Sequence, residues 1–120
     1  MSQIFNQVNK IPKPWGYELW FALTKDYAGK VIYIEKDQRL SLQYHKQKQE
    51  SMLLWSGKIS LLHGEKPGDL CEVIVSEGQA FTLNPGVIHR VKALENSTII
   101  EVSTSEMDDV IRIEDDFGRI

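Results

Sequence analysis

Gln43, His45, Glu50 and His89 are the side chains whose types and spacing suggest chemistry. Gln43 and His45 are two apart, so on a strand they share a face. Glu50 follows a polar gap, Lys46-Gln47-Lys48-Gln49, and a hairpin could fold it back beside His45. His89 comes far along the chain, after a Pro85-Gly86 turn, and its strand could sit beside theirs in a closed barrel. Two imidazoles, one carboxylate and one amide oxygen suit Zn²⁺, Mn²⁺, Fe²⁺ or Ni²⁺, with positions left open for water or substrate. Each residue alone also has a plainer reading. The alternating run from Arg39 to His45 would serve equally as a strand face in water, and His89 as an ordinary loop histidine.

The elements that must position these residues read as strands. Pro12 and Pro14 fix extended backbone. Aromatic and β-branched runs at 17–21, 30–35, 51–55, 59–62, 71–75, 80–83, 87–93 and 98–103 are separated by turn signals. Ser56-Gly57-Lys58 is a hairpin signal. In the run 39–45, Arg39, Ser41, Gln43 and His45 fall on one face and Leu40, Leu42 and Tyr44 on the other. That makes roughly nine short strands at intervals of about ten residues, with no long helical pattern, which predicts an all-β sandwich or barrel. Residues 1–12 read as an N-terminal arm. Residues 13–120 read as one domain with an acidic C-terminal tail, whose Val110, Ile111 and Ile113 could pack on the outside of a sheet.

Bulk properties exclude several classes. The chain has 120 residues, 42% of them hydrophobic, which is enough for one core. No apolar run is long enough to span a bilayer. The first residues lack a secretory pattern, and the single cysteine, Cys71, permits no internal disulfide, so the expected compartment is the cytoplasm. Net charge is −3 with no basic stripe, so no nucleic-acid partner is expected.

The segment from Asp37 to Gly57, with Gln43-Tyr44-His45, Glu50 and Gly57, resembles the first motif of the cupin superfamily. The segment from Gly78 through Pro85-Gly86-Val87-Ile88-His89 resembles the second, with Asn84 in the usual proline position. The string Leu40-Ser41-Leu42-Gln43-Tyr44-His45 is similar to the type II mannose-6-phosphate isomerase branch, as are Lys13-Pro14-Trp15-Gly16, Lys30, His89-Arg90, Glu101-Val102 and the stretch from Asp109 to Arg119. This resemblance implies a small jelly-roll barrel, with Gln43, His45, Glu50 and His89 as ligands to a divalent metal, zinc placed first. Two positions depart from the branch: Lys48 stands where it commonly has Arg, and Met52 where it commonly has Trp.

The chemistry this implies is aldose–ketose isomerisation of a sugar or sugar phosphate. Such a reaction needs a base for the proton beside the carbonyl and an electrophile for the enediolate oxygen. Glu101 is a candidate base if it points inward, and a metal-bound hydroxide is another. Arg39, Lys48, Arg90 and Lys30 are candidates for phosphate contact, by charge. A non-catalytic metal- or carbohydrate-binding module and an iron-dependent oxygenase are the competing readings. The apolar strand face and the aromatic N-terminal segment predict a homodimer.

Overall fold

The computed structural model describes residues 4–120. Its strands are β1 (Asn9–Lys13), β2 (Gly16–Leu23), β3 (Ala28–Ile34), β4 (Leu42–His45), β5 (Glu50–Ser56), β6 (Lys58–Gly64), β7 (Cys71–Ser76), β8 (Ala80–Leu83), β9 (Ile88–Ala93), β10 (Ser97–Ser103) and β11 (Val110–Glu114). They form a six-stranded sheet, ordered β1-β2-β3-β10-β5-β8, and a five-stranded sheet, ordered β11-β4-β9-β6-β7. The fold is the expected all-β jelly roll. No helix among the described residues is long and apolar enough to cross a membrane. Part of the predicted N-terminal arm, residues 1–3, lies outside the described residues.

Alternation builds the inside of the barrel. Ala28, Lys30, Ile32 and Ile34 of β3 are buried, as are Glu50, Met52 and Leu54 of β5 and Ser97, Ile99, Glu101 and Ser103 of β10. These strands are neighbours, with Ile99 opposite both Ile32 and Leu54 and Glu101 opposite both Lys30 and Met52. One end of the inner face is therefore apolar. Ile32, Ile34, Leu54 and Ile99 pack there with Ile59, Leu61, Val91 and Ala93 from the other sheet. The other end holds Lys30, Glu50 and Glu101. An apolar half makes the core, and a charged half makes a site.

Two of the eleven strands differ from the sequence reading. β1 pairs with β2 from Asn9↔Trp20 to Lys13↔Gly16. At the end of that hairpin a Cβ on Gly16 would lie 2.0 Å from the Tyr33 carbonyl oxygen, so only glycine fits. β11 is a strand of the second sheet, not a segment packed outside one: Val110, Ile111 and Arg112 lie opposite His45, Tyr44 and Gln43.

The alternation across 39–45 also breaks. Arg39 lies opposite Lys92, but Gln43 lies opposite His89. Four residues on one side thus match three on the other, which is the count of a β-bulge. A one-residue slip reverses which face a side chain takes. Arg39 is consequently not on the face of Gln43 and His45. It pairs with Asp116 at 2.6 Å instead, and Leu40 packs on the core in its place.

Candidate metal centre

His45 and His89 approach Glu50 from the second sheet. His45 Nε2 lies 3.4 Å and His89 Nε2 3.2 Å from Glu50 Oε1. The three side chains are almost fully buried, and their ligand atoms all lie within 4.8 Å of one another. None of the three atoms has a hydrogen-bond partner.

The other nitrogen of each ring explains why. His45 Nδ1 meets Asp109 Oδ1 at 3.1 Å, and His89 Nδ1 meets the Val87 carbonyl oxygen at 3.0 Å. Both partners are acceptors, so each Nδ1 carries a proton and donates it, leaving the Nε2 lone pairs aimed at Glu50. Burial alone would raise the Glu50 carboxyl. The Lys48 ammonium beside its Oε2 opposes that and favours the anion. Two lone pairs and a carboxylate oxygen facing one another, shielded from water, call for a cation between them. The donor set of two nitrogens and one oxygen suits a divalent transition metal.

Asp109 is fixed in turn. Its Oδ2 accepts the backbone N–H groups of Gln47 at 2.7 Å and Lys48 at 3.0 Å. Replacing it with asparagine leaves no good orientation. With the amide nitrogen toward Gln47 and Lys48, donors face donors. With it toward His45, the ring must take the tautomer whose Nε2 carries the proton. Asp109→Asn is therefore expected to weaken metal binding about 10- to 100-fold, measured by competition with a chromogenic chelator.

A charged network surrounds the cluster. Lys48 Nζ is 3.1 Å from Glu50 Oε2 and 3.8 Å from Glu101 Oε2. Lys30 Nζ is 4.0 Å from Glu101 and 3.3 Å from Glu18, which also accepts the Trp20 indole N–H at 2.8 Å. Burial, and then the negative charge of Glu50, push Glu101 up to about 8 despite the two lysines. Burial acts to lower Lys48, but Glu101 and Glu50 outweigh it and raise the ammonium above its ordinary value.

These groups line a cavity of about 330 Å³, together with Trp15, Gln43, Met52 and residues of β11. The structure thus brings together the predicted site residues Gln43, His45, Lys48, Glu50, His89 and Lys30, with Glu101 pointing inward among them. Gln43 lies beside His89 in the ladder, where its Oε1 accepts the Ser41 hydroxyl at 2.6 Å. Lys48 is buried, and its charge is taken up by the two glutamates rather than left free for a phosphate. Arg90 is not brought in. Its guanidinium points outward from β9, donating to the Leu40 carbonyl at 2.9 Å and pairing with Glu114 and Asp116. It ties the bulge to β9, next to the bond from the Leu40 N–H to the Val91 carbonyl. Sequence reasoning missed Asp109, Lys13, Arg112 and Arg119 in this site. The inward alternation of Val110 and Arg112 was a signal for one of them, had the tail been read as a strand.

The family model described as mannose-6-phosphate isomerase C-terminal matches residues 2–115. No curated protein matches as a relative. Among solved structures, KdgF from Halomonas sp. is similar with a TM-score of 0.71 and 19% identity, covering 87% of this chain and 90% of that one. An RmlC-like cupin from Shewanella frigidimarina has a TM-score of 0.75 and 14% identity, with 90% and 96% covered. The capsular polysaccharide assembling protein CapF from Staphylococcus aureus has a TM-score of 0.78 and 18% identity. There the match covers 94% of this chain but only 33% of that one. At such identities the structures establish a shared fold. The family match spans nearly the whole chain, and the chain belongs to the mannose-6-phosphate isomerase C-terminal family of cupins.

Proposed function

We propose that this chain is a metal-dependent aldose–ketose isomerase acting on a sugar or sugar phosphate. The observation that carries the reading is the convergence of His45 Nε2, Glu50 Oε1 and His89 Nε2, all without partners, at the charged end of a small-molecule-sized cavity. Gln43 is the fourth ligand in this reading, and zinc the first metal to test. A bound divalent ion would polarise the carbonyl and hydroxyl oxygens of the sugar. Glu101 moves the proton between the two adjacent carbons. Its burial and its approach to Lys48 suit a group that must alternate between acid and carboxylate. Lys48 stabilises the charged form of Glu101 and orients Glu50. Trp15 and Met52 exclude water from the inner wall.

The same contact of Lys48 with both glutamates favours a second reading, a non-catalytic metal- and carbohydrate-binding module. There Glu101 is held as an ion-pair partner and transfers nothing. Metal analysis of the purified protein, combined with isomerase assays over a panel of sugars and sugar phosphates, separates the two. Turnover that is lost in Glu101→Gln with metal retained supports the isomerase. Bound metal with no turnover on any sugar supports the module, and iron with oxygen consumption would point to an oxygenase.

In this reading the protein works in the cytoplasm as a homodimer. Phe21, Leu23, Trp55 and Val102 leave apolar surface exposed on the six-stranded sheet, a face suited to pairing. Light scattering at micromolar concentration should give twice the monomer mass; a monomer would refute the pairing.

A further inference from the structure

We propose that two copies of this chain pack their six-stranded sheets face to face, and that the arm before β1 of each copy lies against the other. This rests on the homodimer reading above and assigns to it a face and a segment.

The distribution of charge over four strands points there. β2, β3, β5 and β10 carry four charged residues, Glu18, Lys30, Glu50 and Glu101, and all four are buried inside the barrel. The outward positions of these strands hold apolar or hydroxyl-bearing side chains. Leu19, Val31, Ile100 and Leu53 make one aliphatic row across the sheet, each opposite the next. Tyr17 stacks on Tyr33 beside that row, with ring centroids 5.1 Å apart. An antiparallel sheet with one face in water normally puts apolar side chains inside and polar ones outside. Here the charges are inside and the outer face is apolar. The other sheet keeps to the rule on β9, where Arg90 and Lys92 occupy outward positions.

Two bulges add aromatic rings to this face. Phe21 is the extra residue between the pairs Trp20↔Lys30 and Ala22↔Gly29, and Trp55 the extra residue between Leu54↔Ile99 and Ser56↔Thr98. An extra residue re-aims its side chain out of the ladder. The Phe21 ring lies flat over Gly29, where a Cβ would stand 2.6 Å from Phe21 Cζ. Trp55 stays 65% exposed and Val102 55%.

A second copy is the occupant this face suits. Depletion of charge at the centre marks homodimer interfaces, and a face without charges offers a different protein little to set its orientation. An identical twisted sheet presents the same apolar rows across a two-fold axis. Lys10 of β1 stands at the rim, its ammonium 4.4 Å from the centre of the Tyr17 ring. Four strands about 4.8 Å apart, with three outward positions about 6.8 Å apart on each, make a patch on the order of 400 Å². A stable dimer buries about 800 Å² per partner, so the sheet supplies roughly half. The arm is placed to extend it. Asn6 Nδ2 donates to the Phe21 carbonyl at 3.0 Å, so the arm runs beside the end of β2. It brings Phe5, 83% exposed, and Val8, 55% exposed, to the Phe21 end of the face.

The test is multi-angle light scattering over a dilution series through the micromolar range. The wild type should show twice the monomer mass. Trp55→Lys and Val102→Lys set like charges near one another across the axis, and each should raise the dissociation constant about 30-fold or more. Phe5→Ser combined with Val8→Ser should raise it about tenfold. Ile74→Lys, 45% exposed on the edge strand β7 of the other sheet, should change nothing. The two face variants lie on different strands, so a folding defect in one, seen by circular dichroism, leaves the other to decide. A wild-type monomer throughout would sink the homodimer and this interface together. A dimer that both folded face variants leave intact would keep the homodimer and overturn the face. Dissociation in the face variants with none in the arm variant would overturn the arm's part. A monomer that binds phosphatidylcholine vesicles, and loses that binding in Trp55→Lys, would give the face to a membrane surface and overturn the second copy.

Discussion

His45→Ala and His89→Ala should each lose stoichiometric metal, with affinity falling at least about 100-fold, more than the loss of an outer hydrogen bond costs. Each histidine has its Nδ1 committed elsewhere, to Asp109 or to the Val87 carbonyl, and gives only Nε2 to the centre. Removing one ring leaves one nitrogen, Glu50 and the weakly binding Gln43 amide oxygen, too few strong ligands for a tight transition-metal site. The rings sit 5.6 Å apart, on strands from the same sheet, so neither can swing across to replace the other. Metal content after dialysis against a dilute chelator, measured by mass spectrometry of the elements, checks this. Either variant retaining full metal would mean that the ion sits elsewhere. Both variants should still fold, because His45 and His89 lie at the charged end of the barrel and the apolar cluster does not include them.

Much of this centre could be read from the chain because strand chemistry is local. Period-two burial places Glu50, Met52 and Leu54, and again Ile99 and Glu101, on the inner face, and that alternation is written in the residue types. What failed was non-local. The run from Arg39 to His45 alternates well on paper, yet the extra residue at the bulge turns Arg39 outward and Leu40 inward. Nothing within the run signals a slip that is set by pairing with β9. Arg90 was misplaced for a related reason: its partners, Glu114 and Asp116, come from the end of the chain. The acidic tail looked like surface because a strand with one half-buried face and several charges carries little hydrophobic signal. Asp109 and Arg112, which hold His45 and line the cavity, sit in that same tail. Lys48 illustrates a further non-local effect. Charge alone offers it to a phosphate, and only the fold shows its side chain buried between two glutamates.

That burial makes Lys48→Met the substitution with the sharpest effect on stability. The ammonium is 4% exposed as a residue and stands between Glu50 and Glu101. Methionine fills similar volume without the charge, so packing is nearly kept and the change is electrostatic. In metal-free protein it leaves Glu50 and Glu101 buried together, with Lys30 at 4.0 Å from Glu101 as the remaining cation. Breaking a buried ion pair from one side costs about 3–5 kcal/mol, because the remaining charge keeps its desolvation penalty. For a domain of this size that corresponds to a melting temperature lower by roughly 10–20 °C. Metal should shrink the loss. A divalent ion at His45, Glu50 and His89 compensates the Glu50 charge, and an ion that binds only the folded state adds stability by mass action. The expected signature is therefore a large difference between wild type and Lys48→Met in chelator and a clearly smaller one with saturating zinc. Equal differences in both conditions would mean that Glu50 does not meet the ion. A variant as stable as wild type in chelator would mean that Lys48 is not what compensates the buried Glu50 carboxylate.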